Sequence, residues 1–587
     1  EACGSNVVFD SMVLGLPDNT GDAYFADCEV VAKGRFINQR VAPCPLEVRG
    51  AAAAWGKDGR LTQWLSTQHA QGAVAPLAAT NGVDPSMVHV KTPDVGGGFG
   101  AKIGAYPEEL LLGVIAKRVG TPVRWRETRS ESMVGLGHGR AQLQYVTIGG
   151  KRDGTVTHYQ FWAIQDSGSW VDMGTILAPF MTRPMSSGVY AIPNIECRTT
   201  SVVTNTTPTV AYRGAGRPEA TYAIEMAIEA LARAMKIDSF ELRKRNYIKK
   251  EQFPYLAFSG LTYDSGDHLL AAEKAAKMTD LAGVRAQQKK QNVPGATKLL
   301  GLGMSSYFEM CGLAPSRVLA SLNYSAGGWE AATVRVLPTN KVQVITGTSP
   351  HGQGHETSWA MIAAEKLGVA PEDVDVLHSD TAISALGLDT YGSRSLPVGG
   401  VAIALACDKV IEKAKTIAAH QLECAAEDLQ FANGTFSVKG SPDRALPLAA
   451  IAFGAFTAHN LPEGCEPNLE AQVSYDPPNF SWPFGTHMCV VEVDTETGAV
   501  EILKYIAVDD CGNQINPLIV EGQVHGGVVQ GIAQALFEEA VYDEDGNLKS
   551  SNLAEYLVPA ACDVPSITTA HTITPSPTNQ LGVKGIG

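Results

Sequence analysis

Clusters of glycine constrain the fold of this chain more than any other feature of its sequence. It has 59 glycines among 587 residues, more than the usual fraction, and many of them are grouped. Because glycine adopts positive φ and has no side chain, such a group lets the backbone approach a ligand closely. The clusters lie at 96–100, 352–354, 522–531 and 582–587, with a Gly-Ala-Gly loop at 214–216. They predict a fold whose ligand sites are lined by backbone.

The pattern of elements predicts two halves that both mix helices and strands. A chain of 587 residues is too long for a single hydrophobic core. Residues 143–164 have the pattern of a β-hairpin, and residues 219–235 carry apolar side chains at helical spacing. The polar stretch 279–299 is rich in Lys and Gln, so we expect a linker there, between domains at 1–278 and 300–587.

Composition excludes several classes of protein. The formal net charge is −15, which argues against a nucleic-acid-binding surface. The longest apolar runs, near 396–407 and 446–458, are too short to cross a bilayer as helices. The eleven cysteines form no CxxC pair, so we expect no iron–sulfur or zinc site within this chain. Scattered cysteines of this kind are typical of a reduced compartment, and they predict a cytoplasmic protein.

The loop from Ala211 to Glu219 is the strongest binding site that the residues themselves indicate. Arg213 and Arg217 flank its Gly-Ala-Gly turn. Pro218 suits the first turn of a helix, and Glu219 suits the positive end of the helix dipole. Small residues between two guanidinium groups predict a site for an anion or an oxyanion. The alternative is an ordinary loop-to-helix junction with two solvated arginines.

Each of the other glycine clusters also has two interpretations. The amides of 96–98 either hold an oxo or phosphate oxygen or form a tight turn. The amides of 352–354, with Thr357 at the start of a helix, either bind a pyrophosphate or belong to a simple helix cap. The cluster 522–531 enters a helix that holds Gln530 one turn inside. The chain has no GxxxxGK[ST] phosphate loop, no GxSxG, no HExxH and no GxGxxG motif after a strand.

Taken in order, nine motifs resemble the molybdenum-binding large subunit of the xanthine oxidase and carbon monoxide dehydrogenase family. They cover nearly the whole chain: GGGFGAK (96–102), AYRGAGRPEA (211–220), ELRKRNYI (241–248), GQGHET (352–357), DT (380–381), SRS (393–395), INP (515–517), EGQVHGGVVQG (521–531) and GVKGIG (582–587). The resemblance implies an α+β fold with two elongated halves of the aldehyde oxidase and xanthine dehydrogenase molybdopterin-binding type, and with the cofactor at their interface.

The same resemblance implies the cofactor, the reaction and the partners. The implied cofactor is molybdenum held by molybdopterin cytosine dinucleotide, with no direct protein ligand to the metal. The implied reaction oxidises an aldehyde or hydroxylates an aromatic N-heterocycle, with water as the oxygen source. Electrons would pass to a small subunit with [2Fe-2S] clusters and a medium subunit with FAD, in a dimer of heterotrimers. A cofactor of this kind performs the difficult step while the protein positions and polarises the substrate.

Site residues are carried over from the resemblance position by position. The residues expected to be catalytic, next to the metal, are Gln68, Phe99, Gly100 and Arg213. The residues expected on the substrate side are Ile103, Gly214 and Ala215. The residues expected to hold the cofactor are Gly98, Gly352, Gln353, Gly354, Thr357, Asp380, Thr381, Ser393, Arg394, Ser395, Gln523, Gln530, Lys584 and Gly585. Further candidates for pocket side chains, with core packing as the alternative, are Tyr307, Phe308 and Glu309.

Three positions depart from two well-known groups of the family. Gly214 stands where the members that oxidise carbon monoxide have a copper-binding cysteine, so we expect that the chain is not a copper-containing carbon monoxide dehydrogenase. Ala215 and Ile103 replace a Phe and a Glu of the members that oxidise xanthine, so a purine substrate is not expected. The Gly-Ala-Gly loop resembles the branch of the family whose substrates are aldehydes or aromatic N-heterocycles.

The two ends of the sequence differ from the family pattern. In the family, GVKGxG is followed at once by the general-base glutamate, whereas this sequence ends at Gly587. The sequence also begins inside the resemblance, without the small α/β domain that usually comes first. We therefore expect the sequence to be part of a longer one. The alternative is a catalytically lapsed cofactor-binding or scaffold subunit, and a flavin- or nicotinamide-dependent dehydrogenase ranks below both because its dinucleotide motif is missing.

Overall fold

The fold is described from a computed structural model. It describes residues 4–10, 20–313, 315–321, 324, 326–384 and 386–586. Their strands are, in chain order, β1 Val7–Asp10, β2 Val30–Val41, β3 Gly50–Trp55, β4 Leu61–Leu65, β5 Val88–Lys91, β6 Val123–Arg126, β7 Gly139–Gly150, β8 Val156–Asp166, β9 Asn194–Val202, β10 Tyr255–Leu256, β11 Thr262–Tyr263, β12 Lys298–Phe308, β13 Glu330–Val336, β14 Val342–Thr346, β15 Val374–Leu377, β16 Leu429–Ala432, β17 Thr435–Val438, β18 Ser441–Pro447, β19 Leu469–Tyr475, β20 Phe484–Asp494, β21 Val500–Asp510 and β22 Ile567–His571.

Helices alternate with these strands along the chain. They are α1 Ala70–Asn81, α2 Pro107–Val119, α3 Arg129–Gly135, α4 Met173–Thr182, α5 Arg217–Met235, α6 Ser239–Asn246, α7 His268–Thr279, α8 Leu281–Gln291, α9 Ser316–Ser321, α10 His355–Leu367, α11 Val401–Gln421, α12 Leu448–Thr457 and α13 Pro517–Leu536. The mixture of helices and largely antiparallel sheets in both halves confirms the predicted α+β class.

The first half contains two main sheets. The larger has the strand order β1-β9-β8-β7-β2, and the smaller has the order β5-β4-β3-β6. The predicted hairpin is formed by β7 and β8, which pair antiparallel with Leu143 opposite Ile164. Helix α5 packs on the larger sheet and buries Ile224, Ile228 and Leu231 completely. Helices α1 and α2 cover the smaller sheet with Leu77 and Leu112.

The second half is built from two four-stranded sheets and a small three-stranded one. Their strand orders are β12-β20-β21-β22, β15-β14-β13-β19 and β16-β17-β18. Helices α10 and α11 pack on the sheet that contains β13, and together they bury Trp359, Ile403 and Val410. This sheet and its helices form a core separate from that of the first half.

The largest core crosses the boundary that the sequence suggested. Phe308 and Trp482 from the second half pack in the same cluster as Tyr159 and Ile224 from the first. Within 279–299, the stretch where a linker is predicted, α8 occupies Leu281–Gln291. The two halves therefore share apolar packing, and the domain limits at 278 and 300 stay a prediction.

Two helix starts differ from the sequence-based expectation. Helix α13 begins at Pro517, so the whole cluster 522–531 lies inside a helix and does not precede one. Helix α10 begins at His355 with Gly354 as its N-cap, so Thr357 lies within the first turn and is not the cap. Asp267 caps α7, because its side chain accepts a hydrogen bond from the backbone N–H of Leu270.

No described helix is long and apolar enough to cross a membrane.

Candidate functional site

The glycine clusters meet around a cavity of about 1400 Å³. It lies between the two halves, because its wall includes α13 and the start of α10 from the second half as well as loops of the first. The wall contains these residues from the sequence-based set: Gln68, Phe99, Gly100, Ile103, Arg213, Gly214, Ala215, Gly352, Gln353, Gly354, Ser393, Ser395, Gln523, Gln530, Lys584 and Gly585. Residues more than 500 positions apart in sequence therefore share a single cavity.

Five residues expected to hold the cofactor lie behind the wall and are not part of it: Gly98, Thr357, Asp380, Thr381 and Arg394. The carboxylate of Asp380 lies 2.5 Å from His89 Nε2 and 3.4 Å from Lys91 Nζ. The hydroxyl of Thr381 accepts a hydrogen bond from the backbone N–H of Val90. These contacts hold the loop of Asp380 and Thr381 against strand β5. Direct binding of the cofactor by any of the five residues stays a prediction.

Arg394 forms a completely buried ion pair with Glu330 at the start of β13. Its Nη1 lies 2.5 Å from Glu330 Oε2, and both side chains have no exposed surface. The guanidinium also donates to the backbone carbonyls of Gly328, Trp329 and Asp389. Because the neighbouring Ser393 and Ser395 line the cavity, Arg394 holds their loop in place from behind.

Gln68 fixes the loop of the first glycine cluster. Its Oε1 accepts a hydrogen bond of 2.8 Å from the backbone N–H of Gly100. A Cβ on Gly98 would lie 2.3 Å from the same oxygen, and one on Gly100 would lie 2.8 Å from the carbonyl oxygen of Ala211. The glycines are therefore required because the loop packs directly on Gln68 and on the Arg213 loop. The backbone N–H of Gly100, a residue expected next to the metal, donates to Gln68 in this structure.

The Arg213 loop is supported from beneath by Arg140. This guanidinium donates to the carbonyl oxygens of Tyr212 and Arg213, over 3.1 and 2.7 Å. Glu219 accepts a hydrogen bond from the backbone N–H of Gly216 and lies 3.5 Å from Arg140. Gly214 and Gly216 have φ of +87° and +92°, which favours glycine at both positions. The loop is thus held in one conformation with Gly214 and Ala215 facing the cavity.

The guanidinium of Arg213 joins this loop to helix α13. It donates to the side-chain oxygen of Gln530 over 3.0 Å and to the carbonyl oxygen of Gln523 over 3.0 Å. A Cβ on Gly527 would lie 3.5 Å from the guanidinium, and one on Gly526 would lie equally close. The glycines of α13 therefore let an arginine lie against the helix. Burial lowers the pKa of Arg213, but its ordinary value is so high that the group stays charged at neutral pH.

The start of α10 offers backbone N–H groups to the cavity. Gly352 and Gly354 have φ of +107° and +72°, and the first-turn N–H groups of a helix have no partner within it. Burial lowers the pKa of His351 to about 4 and that of His355 to about 3, so both are neutral near pH 7. Positive potential here therefore comes from backbone amides and the helix dipole, a combination that binds phosphate groups.

Several cavity residues carry weaker signals in the sequence. His351 directly precedes the GQGHET motif, and Glu309 directly follows β12. Glu309 lines the cavity, whereas Phe308 stacks on Trp482 in the core and Tyr307 donates to the carboxylate of Asp509. Of those three pocket candidates, only Glu309 contributes to the wall. Another carboxyl group in the wall, Glu538, has no recognisable motif around it.

Two titratable side chains of the cavity wall, those of Glu538 and Lys584, are buried. Burial raises the pKa of Glu538 to about 7, although the hydroxyl of Tyr556 donates to its carboxylate over 2.8 Å. Burial lowers the pKa of Lys584, whose ammonium group lies near Asp264 and Asp510. Gly587, after which the resemblance places a glutamate, lies outside the described residues.

The chemistry of this wall fits a pterin dinucleotide. Several glycines line the wall, and a Cβ on Gly522 would meet nothing within 4 Å, so the backbone leaves open space there. Gly585 instead packs on Cys311, because a Cβ there would lie only 2.7 Å from the sulfur. Amide side chains from Gln68, Gln353 and Gln530 provide both donors and acceptors. The site thus combines a helix N-terminus for phosphates with amides for a heterocyclic ring.

Comparison with protein families gives the same assignment. Residues 4–247 and residues 274–565 each match a model described as "Molybdopterin cofactor-binding domain". The chain is 38% identical over 570 residues to the carbon monoxide dehydrogenase large chain of Hydrogenophaga pseudoflava, covering 96% of this chain and 70% of that one.

The chain belongs to the molybdenum hydroxylase large subunits of the xanthine oxidase and carbon monoxide dehydrogenase family. It is also 34% identical to the nicotine 6-hydroxylase large subunit of Paenarthrobacter nicotinovorans, over 97% of this chain and 71% of the relative. The solved structure of quinoline 2-oxidoreductase from Pseudomonas putida 86 matches with a TM-score of 0.93 at 35% identity, over 99% of this chain and 74% of that one. The resemblance inferred from the nine motifs is thereby confirmed.

The expectation that the chain is not a copper-containing carbon monoxide dehydrogenase was wrong. Carbon monoxide dehydrogenase large chains from two organisms are each 38% identical to it over nearly its whole length. The exclusion depended on Gly214 alone, but a loop residue does not decide which thiols reach the cavity. Cys44 lies in the cavity wall, from a different part of the chain.

Proposed function

We propose that this large subunit hydroxylates an aromatic N-heterocycle, with water as the source of the oxygen. The observation that carries the proposal is the size of the side chains on the substrate side. Gly214 and Ala215 are the two smallest amino acids, and Ile103, which lines the same cavity, carries no charge. A planar ring therefore has room in this part of the cavity. The similarity to nicotine 6-hydroxylase and quinoline 2-oxidoreductase supports a heterocyclic substrate.

The residues of the wall would hold molybdopterin cytosine dinucleotide in two parts. The N-terminus of α10, with Gly352, Gln353 and Gly354, would bind the phosphates. The loop at Ser393–Ser395 and Gln530 of α13 would bind the nucleotide and the pterin. When bound, the cofactor supplies a molybdenum centre that accepts electrons from the substrate and transfers an oxygen atom derived from water.

The chain's own residues would orient the substrate and exclude water. Arg213, tied to Gln523 and Gln530, would keep the substrate loop in register with the cofactor site on α13. Gln68 and the backbone of Phe99 would line the cavity from the neighbouring loop, which packs on the Arg213 loop. The general base would be the glutamate that the resemblance places after Gly587.

Electrons would leave through partner subunits. We propose a small subunit with [2Fe-2S] clusters and a medium subunit with FAD, in a cytoplasmic dimer of heterotrimers. Two features support partner subunits: the sequence has no CxxC motif, and similar proteins are described as large subunits or chains.

A substrate screen tests this function. The complex isolated from its source would be incubated with N-heterocycles or aldehydes in ¹⁸O-labelled water with an artificial electron acceptor. We expect a hydroxylated heterocycle that carries ¹⁸O. If the complex oxidised only aldehydes, the proposed substrate would be an aldehyde and not a heterocycle. A complex that contains molybdenum but oxidises none of these compounds would favour the catalytically lapsed subunit.

Oxidation of carbon monoxide is the second candidate, because two relatives that are each 38% identical to this chain are named carbon monoxide dehydrogenase large chains. The same complex would be supplied with carbon monoxide and the same acceptor. Formation of carbon dioxide coupled to reduction of the acceptor, without heterocycle turnover, would replace the first proposal by this one.

A further inference from the structure

Glu309 places a carboxyl group in the cavity beside the expected substrate position. It directly follows β12, and its backbone N–H donates to the carbonyl oxygen of Pro483 over 3.0 Å. Its side chain is only 12% exposed and forms part of the cavity wall with Gly214 and Ala215. The carboxyl group is thus fixed by the backbone and accessible only from the cavity.

Arg217 lies between Glu309 and the substrate loop but forms no hydrogen bond with the Glu309 carboxyl group. The two Nη atoms donate to the carbonyl oxygens of Gly214, Ala215 and Met310. The remaining Nε lies 3.9 Å from Glu309 Oε1, which is too far for a hydrogen bond, and it has no hydrogen-bond partner among the described residues. The loop and the carboxyl group are therefore held together as one unit.

Burial governs the protonation of Glu309. It raises the pKa of the carboxyl group, although Arg217, the thiol of Cys311 and Arg213 act in the opposite direction. Tyr307, the other titratable group close to it, is bound to Asp509 and its own pKa is raised well above the ordinary value by burial. Burial thus shifts this carboxyl group toward its neutral acid, the form that is a hydrogen-bond donor.

We propose that Glu309 positions the substrate by donating a hydrogen bond from its carboxyl group to the ring nitrogen of the heterocycle. This inference rests on the proposed heterocycle function and adds a residue that recognises the nitrogen. The ring lies against Gly214 and Ala215, with its nitrogen toward Glu309. The Cys311 thiol already hydrogen-bonds to this carboxyl group, and the ring nitrogen adds an acceptor for the proton of the acid. A carbocyclic ring of the same shape offers no acceptor for that proton, which weakens binding.

Binding of quinoline and of naphthalene, its carbocyclic analogue, tests the proposal. Equilibrium dialysis would use the dithionite-reduced holo complex, in which oxidation of the ligand does not proceed. We expect the wild type to bind quinoline about tenfold more tightly than naphthalene. Glu309→Leu should bind both equally, while Glu309→Gln, which keeps a donor, should retain most of the preference. If Glu309 had only a structural role, Glu309→Leu would weaken the binding of quinoline and of naphthalene by the same factor.

Two results would overturn this role. One is a wild-type complex without preference for quinoline, and the other is an undiminished preference in Glu309→Leu. Failure of the proposed function looks different. A wild type that prefers quinoline through Glu309, yet produces no hydroxyquinoline when oxidised, would contradict the function and leave the binding role of Glu309 intact.

Discussion

At the scale of single residues, the two arginines of the Gly-Ala-Gly loop are the clearest contrast between sequence and structure. The sequence left two alternatives, an anion site and a pair of solvated arginines. In the structure both side chains are largely buried and donate to protein oxygens: Arg217 to three carbonyl groups, and Arg213 to Gln523 and Gln530. The sequence identified the loop, but Met310 lies 93 residues from Arg217, and Gln523 and Gln530 lie more than 300 residues from Arg213, so no local pattern reveals these acceptors.

Replacing Arg213 should reduce turnover without removing the metal. Arg213→Ala loses charged hydrogen bonds to α13, so we expect kcat/KM of the complex to fall by about 10- to 100-fold. Molybdenum content, measured by plasma mass spectrometry, should stay unchanged. Arg233→Ala, at an arginine that is 77% exposed on α5, should behave as the wild type. Loss of molybdenum in Arg213→Ala would show that this residue mainly holds the cofactor.

Glu538 should make stability depend on pH. Its folded-state pKa of about 7 exceeds the ordinary 4.5, so the folded chain binds the proton more tightly than the unfolded chain. Stability from this group is fully present below about pH 4.5 and is lost as the pH rises to about 7, by up to ~3 kcal/mol. Glu538→Gln removes this dependence.

The thermal midpoint of Glu538→Gln relative to wild type should therefore increase between pH 5 and pH 8. The neighbouring exposed residue provides the control, because Glu539→Gln should follow the wild type at every pH. A constant difference between Glu538→Gln and wild type across this range would contradict the raised pKa.

At the scale of elements, local sequence patterns predicted those helices and strands that short-range interactions determine. The β7–β8 hairpin, the apolar stripe of α5 and the Asp267 cap of α7 follow from alternation, helical spacing and capping. The start of α13 also has a local signal, because Asn516 caps the helix before Pro517. The glycines at 522–531 within α13 do not follow from local patterns, since glycine usually weakens a helix. There they are explained by tertiary packing, since Arg213 lies against Gly526 and Gly527.

Gly354 tests whether the start of α10 binds the cofactor. Its φ is +72°, and a Cβ would lie 2.9 Å from Ile519 Cδ1 of α13, a residue that also lines the cavity. Gly354→Ala should therefore distort the helix start and lower the molybdenum content of the purified complex. Gly82→Ala changes a residue with a similar φ of +64° that has nothing within 4 Å, and it should keep its molybdenum. Equal molybdenum in both variants would argue against phosphate binding at this helix.

At the scale of the whole molecule, the cavity could be predicted only through the family resemblance. Its wall combines segments from Pro43 to Ile586, and most of the residues carried over from the nine motifs line it, while their roles stay predictions. Five others are not part of the wall, a distinction that depends on side-chain packing. Gly214 alone does not exclude carbon monoxide as substrate, because two carbon monoxide dehydrogenase large chains are each 38% identical over 96% of this chain.

The proposed function requires that this cavity hold molybdopterin cytosine dinucleotide as a working molybdenum site. Metal analysis of the purified complex, together with identification of the nucleotide released by acid, tests this requirement. We expect molybdenum and cytidine monophosphate in equal amounts, at a level that falls in Gly354→Ala. A complex without molybdenum, or one that releases no cytosine nucleotide, would contradict it.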